Sequence, residues 1–210
     1  MLESPLSRYA GPIALVAGIL VIASRLVVLV TTPADIDALK VYVLSGTHAI
    51  NSLVSIAAYA LLALALVAIY EREARAANTF GVVGLAAAMI GTTFMAGDWW
   101  YEAFAVPRLA EVAPDVIDTF VGGRLLVGGV SSFVLIGLGW ALFGAATWRA
   151  RVFPGPIAVA ILIGGLLSGV PIGIAYLSGG VLLGVAIAWS GGWMMRTTRA
   201  ASVASGPTAA

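Results

Sequence analysis

Apolar runs dominate the chain, and short polar breaks divide it. Six runs are long and apolar enough to be read as helices, at about 11–31, 40–70, 79–102, 119–147, 155–169 and 171–195. A helix that crosses a bilayer needs roughly 20 mostly apolar residues. Five of the runs meet that comfortably, and the fifth in order, 155–169, is short for a span. Pro12 opens the first run and Pro33 closes it. The segment 71–75, Glu-Arg-Glu-Ala-Arg, is a charged turn, and 106–118, with Pro107 and Pro114, is the longest predicted loop. Glycines and Pro171 crowd the boundary between the last two runs, which fits either a tight hairpin or a re-entrant piece. The tail 197–210 is small and polar and is expected to be disordered.

Charge turns this pattern into a topology. The chain is 61% apolar and 10% charged, against about 25% charged in soluble domains. With the N-terminus inside, the inner segments carry Arg8, Arg72, Arg75, Arg149, Arg151, Arg196 and Arg199, and the outer ones carry Lys40 and Arg108. That is the bias expected of cytoplasmic loops. The fold class is therefore an all-α, polytopic membrane helix bundle with six transmembrane helices and both termini cytoplasmic. It forms a single bundle over 1–196 in a bacterial inner (plasma) membrane, and the polar start shows no cleavable signal. A Gly-Pro-Ile-Ala segment opens both the first and the fifth run, at 11–14 and 155–158, a faint internal repeat.

Composition removes several chemistries. A net charge of +1 carries no nucleic-acid footprint. The absence of Cys excludes disulfides and thiolate metal sites, and a single His excludes a bis-histidine haem within one chain. No Walker loop, dinucleotide fingerprint or helix lysine for a Schiff base is present, so no cofactor is expected. Ser131 and Ser132 with His48 lack the order of a membrane serine protease. A metal on His48, Asp98 and Glu102 is chemically conceivable, but the spacing matches no known site.

The candidate chemistry lies in Gly97-Asp98-Trp99-Trp100-Tyr101-Glu102-Ala103-Phe104. Asp98 and Glu102 are four residues apart and share a helical face. Acids at membrane depth are costly and are usually paired, solvated or functional. Arg25, His48, Asn51, Arg124 and Tyr176 fall at similar depth on four other helices, with Ser52 and Ser55 on the face of His48. Together with Trp99, Trp100 and Tyr101 they predict a polar layer confined to the outer third, able to bind a small or lipidic ligand. Arg25 and Arg124 are also placed to form interhelical ion pairs with Asp98 and Glu102. The pairs Gly165/Gly169 and Gly180/Gly184 fit close helix packing, including homo-oligomer contacts.

The stretch Asp98 to Pro114 resembles one found in small uncharacterised actinobacterial multi-pass membrane proteins. These also carry a histidine early in the second helix, as His48 is here, and the likeness covers about half the chain. It implies a six-helix or similar bundle and no particular activity. A looser likeness is to integral membrane terpene cyclases, which are small, helical and thought to use membrane-buried acids. That likeness would make Asp98 or Glu102 a general acid beside Trp99, Trp100, Tyr101 and Phe104. That class is usually seven-helical, however, and an outer site suits a cytoplasmic precursor poorly. Three readings follow: a protein that binds or moves a lipidic ligand or protons, an enzyme using these acids, or a structural subunit whose charges only pair.

Overall fold

The computed structural model describes residues 5–33, 36–115, 123–171 and 173–204. They form α1 (Pro5–Thr31), α2 (Ile36–Val43), α3 (Gly46–Glu73), α4 (Thr79–Val112), α5 (Gly123–Ala150), α6 (Gly155–Ser168) and α7 (Gly173–Ala204). Among the described residues five helices are long and apolar enough to cross a membrane; α6, at 14 residues, is apolar but shorter. At 1.5 Å per residue α6 reaches only about 21 Å, against a hydrocarbon core of about 30 Å. The long helices and α6 form a ring in which each packs on two neighbours, in the order α1, α3, α4, α5, α6, α7 and back to α1.

Several predicted boundaries move, each for a local reason. The second run breaks at Leu44–Ser45, because Ser45 is the N-cap of α3 and accepts from the His48 backbone N–H at 3.2 Å. Residues 36–43 form a separate helix. The third run continues past Glu102 to Val112, through Pro107. Proline cannot donate to the carbonyl four residues back. The apolar stripe nevertheless persists beyond it, and Val106 and Ala110 pack on Val43, with Leu39, Tyr42 and Tyr101 around them. Packing thus overrides the helix-breaking signal, and residues 106–112, expected as loop, are helical. The last helix runs to Ala204, so 197–204 is helical where a disordered tail is expected. Its extension is tied to α3 by a hydrogen bond from Arg72 to Thr198 at 2.8 Å. Pro12 lies inside α1 rather than at its start, whereas Pro156 is near the start of α6, so the two Gly-Pro segments play different parts. The expected start of the fourth run at 119, and the tail beyond 204, lie outside the described residues.

Inside the ring, α3 presents Ser52, Ser55, Tyr59, Leu62, Leu66, Ile69 and Glu73, alternating steps of three and four. Its centre meets Trp140, Phe143, Ile136 and Ile157 in one core. Small residues set the helix spacing. A Cβ on Gly18 would stand 2.3 Å from the Gly184 carbonyl, and one on Gly91 2.4 Å from that of Leu135. The glycines expected to serve homo-oligomer contacts are used within the chain: Gly165 against Trp140, Gly169 against Gly137, Gly180 against Arg25 and Gly184 against Gly18. Outward faces carry large apolar side chains such as Ile19, Phe94, Leu138 and Trp189. That surface suits lipid, which satisfies no backbone group and so favours continuous helices.

Candidate functional site

The ring is unequal in height, and this makes a cavity. The end of α6, at Ser168, is level with Gly179 of α7, and Gly169 touches Phe133 and Gly137 of α5. From those levels α7 rises six residues further, to Gly173, and α5 ten further, to Gly123. These rises are about 9 Å and 15 Å. Among the described residues no helix stands between α5 and α7 above the end of α6. The Phe133 and Tyr176 rings close the lower part of the gap edge to face, with centroids 5.0 Å apart. Above them lies a cavity of about 760 Å³, lined on α1 by Val28, on α3 by His48 and Asn51, on α4 by Asp98 and Glu102, and on α5 by Leu126, Gly128 and Val130. Leu39, Tyr42 and Val43 of α2 cover it.

The α4 wall is a stripe at three- and four-residue spacing: Met95, Trp99, Glu102 and Val106, with Asp98 at its edge. Asp98 lies within hydrogen-bonding reach of the Ser132 hydroxyl on α5. That hydroxyl also stands 3.3 Å from the Gly128 carbonyl. His48 Nε2 is 2.9 Å from the Glu102 carbonyl oxygen and 3.7 Å from its carboxylate. A carbonyl only accepts, so Nε2 carries the hydrogen. The ring sits edge-on to Tyr42 at 5.2 Å and is held at the start of α3 by the Ser45 cap. Asn51, one turn further on, is 3% exposed, and its Oδ1 has no hydrogen-bond partner among the described residues.

Behind the cavity wall lies Arg25, 1% exposed. The expected ion pair with Asp98 or Glu102 does not form. Its two terminal nitrogens donate instead to the hydroxyls of Tyr176 and Tyr59. Its guanidinium carbon lies 4.3 Å from the Tyr176 ring centroid and 5.6 Å from those of Tyr59 and Trp99. Aromatic faces stabilise a desolvated cation by about 2 kcal/mol or more. Gly180 makes room for the arginine stem, since a Cβ there would sit 2.8 Å from its Cγ, Cδ and Nε.

The structure therefore brings His48, Asn51, Asp98, Trp99, Tyr101, Glu102 and Tyr176 around one cavity. Trp100 points elsewhere: it is 57% exposed and packs on Phe104 at 5.5 Å. Arg124 falls in the first turn of α5, and its side chain lies outside the described residues. Among the described residues no three His, Cys, Asp or Glu side chains are grouped to hold a metal ion.

Two residues escaped the sequence reading. Tyr59 continues the His48–Ser52–Ser55 face by one turn, so the periodicity already pointed to it. Glu73 looked like part of an exposed charged turn, yet it is 2% exposed and its carboxylate accepts from Thr147 of α5 at 3.2 Å. Only the pairing of α3 with its neighbours reveals that. Compared with family models, with curated proteins and with solved structures, the chain matches none.

Proposed function

We propose that this chain is an integral membrane protein of a bacterial plasma membrane that binds an amphiphilic, lipid-like ligand in the cavity between α3, α4, α5 and α7. The observation that carries this reading is the mixed lining. His48, Asn51, Asp98 and Glu102 of α3 and α4 line the cavity together with the apolar Val28 of α1 and Leu126, Val130 and Phe133 of α5. A volume of about 760 Å³ lies within the range of roughly 300–1,000 Å³ usual for small-molecule sites. A mostly apolar lining with a few convergent polar groups is the usual form of such a site. The short α6 leaves the apolar side facing the direction from which a bilayer component would come.

Catalysis through a carbocation is the weaker alternative. Two of the aromatic rings that line the cavity, Trp99 and Tyr176, are engaged by the Arg25 guanidinium. A fixed positive charge behind those rings opposes a second one in front of them.

The test is native mass spectrometry of the full chain released from its membrane in mild detergent. Gly128 lines the cavity, and a Cβ there meets nothing within 4 Å. Gly128→Phe should fill the cavity and abolish a retained ligand of lipid mass. Gly192→Phe, at the opposite end and equally open, should leave it bound. Retention by both variants, or by neither, would refute the assignment of this cavity.

A further inference from the structure

The polar wall is an array of acceptors. Asp98 and Glu102, one helical turn apart, offer four carboxylate oxygens. Asn51, buried and lining the same cavity, adds an Oδ1 with no hydrogen-bond partner among the described residues. Among the described residues the charged donor nearby is already engaged: Arg25 gives its terminal nitrogens to Tyr176 and Tyr59. His48 gives its Nε2 hydrogen to the Glu102 carbonyl. The indole N–H of Trp99, buried beside Tyr176, is a neutral donor. A buried acceptor left unmatched costs about 1–3 kcal/mol, so the wall is complementary to a ligand rich in N–H or O–H donors. Two carboxylates on one face favour a positive one.

The form of that charge can also be read. A quaternary ammonium has no donor to give these oxygens, and two of the aromatic rings that line the cavity, Trp99 and Tyr176, already face Arg25. A primary ammonium brings three donors, matching one oxygen each from Asn51, Asp98 and Glu102. For the rest of the molecule, the gap above the α6 end is apolar, rimmed by Leu126, Val130 and Pro171. Leu126 and Val130 also line a shallow groove along α5 that continues past Val127 and Val134. A hydrocarbon chain leaving the cavity there would lie along the lipid-facing side of α5.

Resting on the lipid-binding reading above, we infer that the ligand is an amphiphile with a primary ammonium head, held by Asn51, Asp98 and Glu102, its chain passing between α5 and α7. The test uses four probes with one chain length: dodecylamine, dodecyltrimethylammonium, dodecanol and dodecanoate. Each is titrated into the full chain in phosphatidylcholine nanodiscs, and tryptophan fluorescence is followed because Trp99 lines the cavity. The same titration on Gly128→Phe is subtracted to remove simple partitioning. Dodecylamine should bind at least about tenfold tighter than each of the others. Asp98→Asn and Asn51→Leu should each weaken the amine about tenfold while leaving dodecanol unchanged. The wild-type ranking stands as a test even if a variant fails to fold. Equal affinity for the amine and the trimethylammonium or dodecanol probe, or tightest binding of dodecanoate, overturns the ammonium head and leaves amphiphile binding intact. Absence of any saturable signal above Gly128→Phe for all four probes overturns both.

Discussion

Arg25 shows how a single residue can be read correctly for depth and wrongly for partner. A buried arginine looks for a carboxylate, and two carboxylates lie on the neighbouring wall. The side chain instead forks between Tyr59 and Tyr176 and lies over three aromatic rings. The planar guanidinium suits this because its N–H groups diverge in one plane and its face can stack, whereas lysine offers neither property. Arg25→Lys should therefore cost about 1.5–3 kcal/mol, read by thermal unfolding of the full chain in mild detergent. Gly180→Ala puts a methyl against the arginine stem and should cost about 1–3 kcal/mol through overpacking. It should also change tryptophan emission by shifting the guanidinium against Trp99. If Gly180→Ala leaves both readouts unmoved, the arginine has free space and the clamp described is not tight.

At the level of elements, the site depends on where helices begin and stop. The Ser45 cap starts α3 and holds the first turn, which carries His48, with Asn51 one turn further on. Ser45→Ala should cost about 0.5–2 kcal/mol. It should also raise hydrogen exchange in residues 46–51 more than in residues 62–69, which lie in the core. Equal exchange in the two segments would mean that the cap contributes nothing local. The start of α3 was hidden in an unbroken apolar run, because Leu39, Tyr42 and Val43 are apolar for a reason of their own: they cover the cavity and pack beside Val106. The continuation of α4 past Pro107 was hidden for the opposite reason, since proline is a local signal and the packing that overrides it is remote. The shortness of α6, by contrast, was visible in its spacing of Gly164, Gly165, Gly169 and Pro171. Its consequence, a gap between α5 and α7, was not.

For the molecule as a whole, close backbone packing in the ring sits beside one open volume. The two respond oppositely to added bulk. Gly91→Ala would set a methyl within 2.6 Å of the Leu135 and Ile136 backbone. It should cost about 1–3 kcal/mol or more, seen as a lower midpoint of thermal unfolding in detergent. Gly128→Phe enters open space and should change stability by no more than about 1 kcal/mol while removing ligand binding. Comparable destabilisation by the two substitutions would mean that the cavity collapses in the membrane and is no binding site.

Read alone, the sequence determined the solvent and the raw material. Runs of apolar residues long enough for a bilayer, arginines gathered at one set of turns, and polar residues of five helices placed at one depth all follow from local composition and helical rise. Those quantities need no knowledge of neighbours. Only the tertiary structure decided which polar groups meet. Partnership depends on the ring order, on glycine-sized separations between helices, and on the height at which each helix ends. The same rotation that puts Tyr59 and Tyr176 against Arg25 leaves Asp98, Glu102 and Asn51 facing an open cavity. Among the described residues, Arg25 is not paired with either acid but is sequestered by tyrosines behind the wall that carries them.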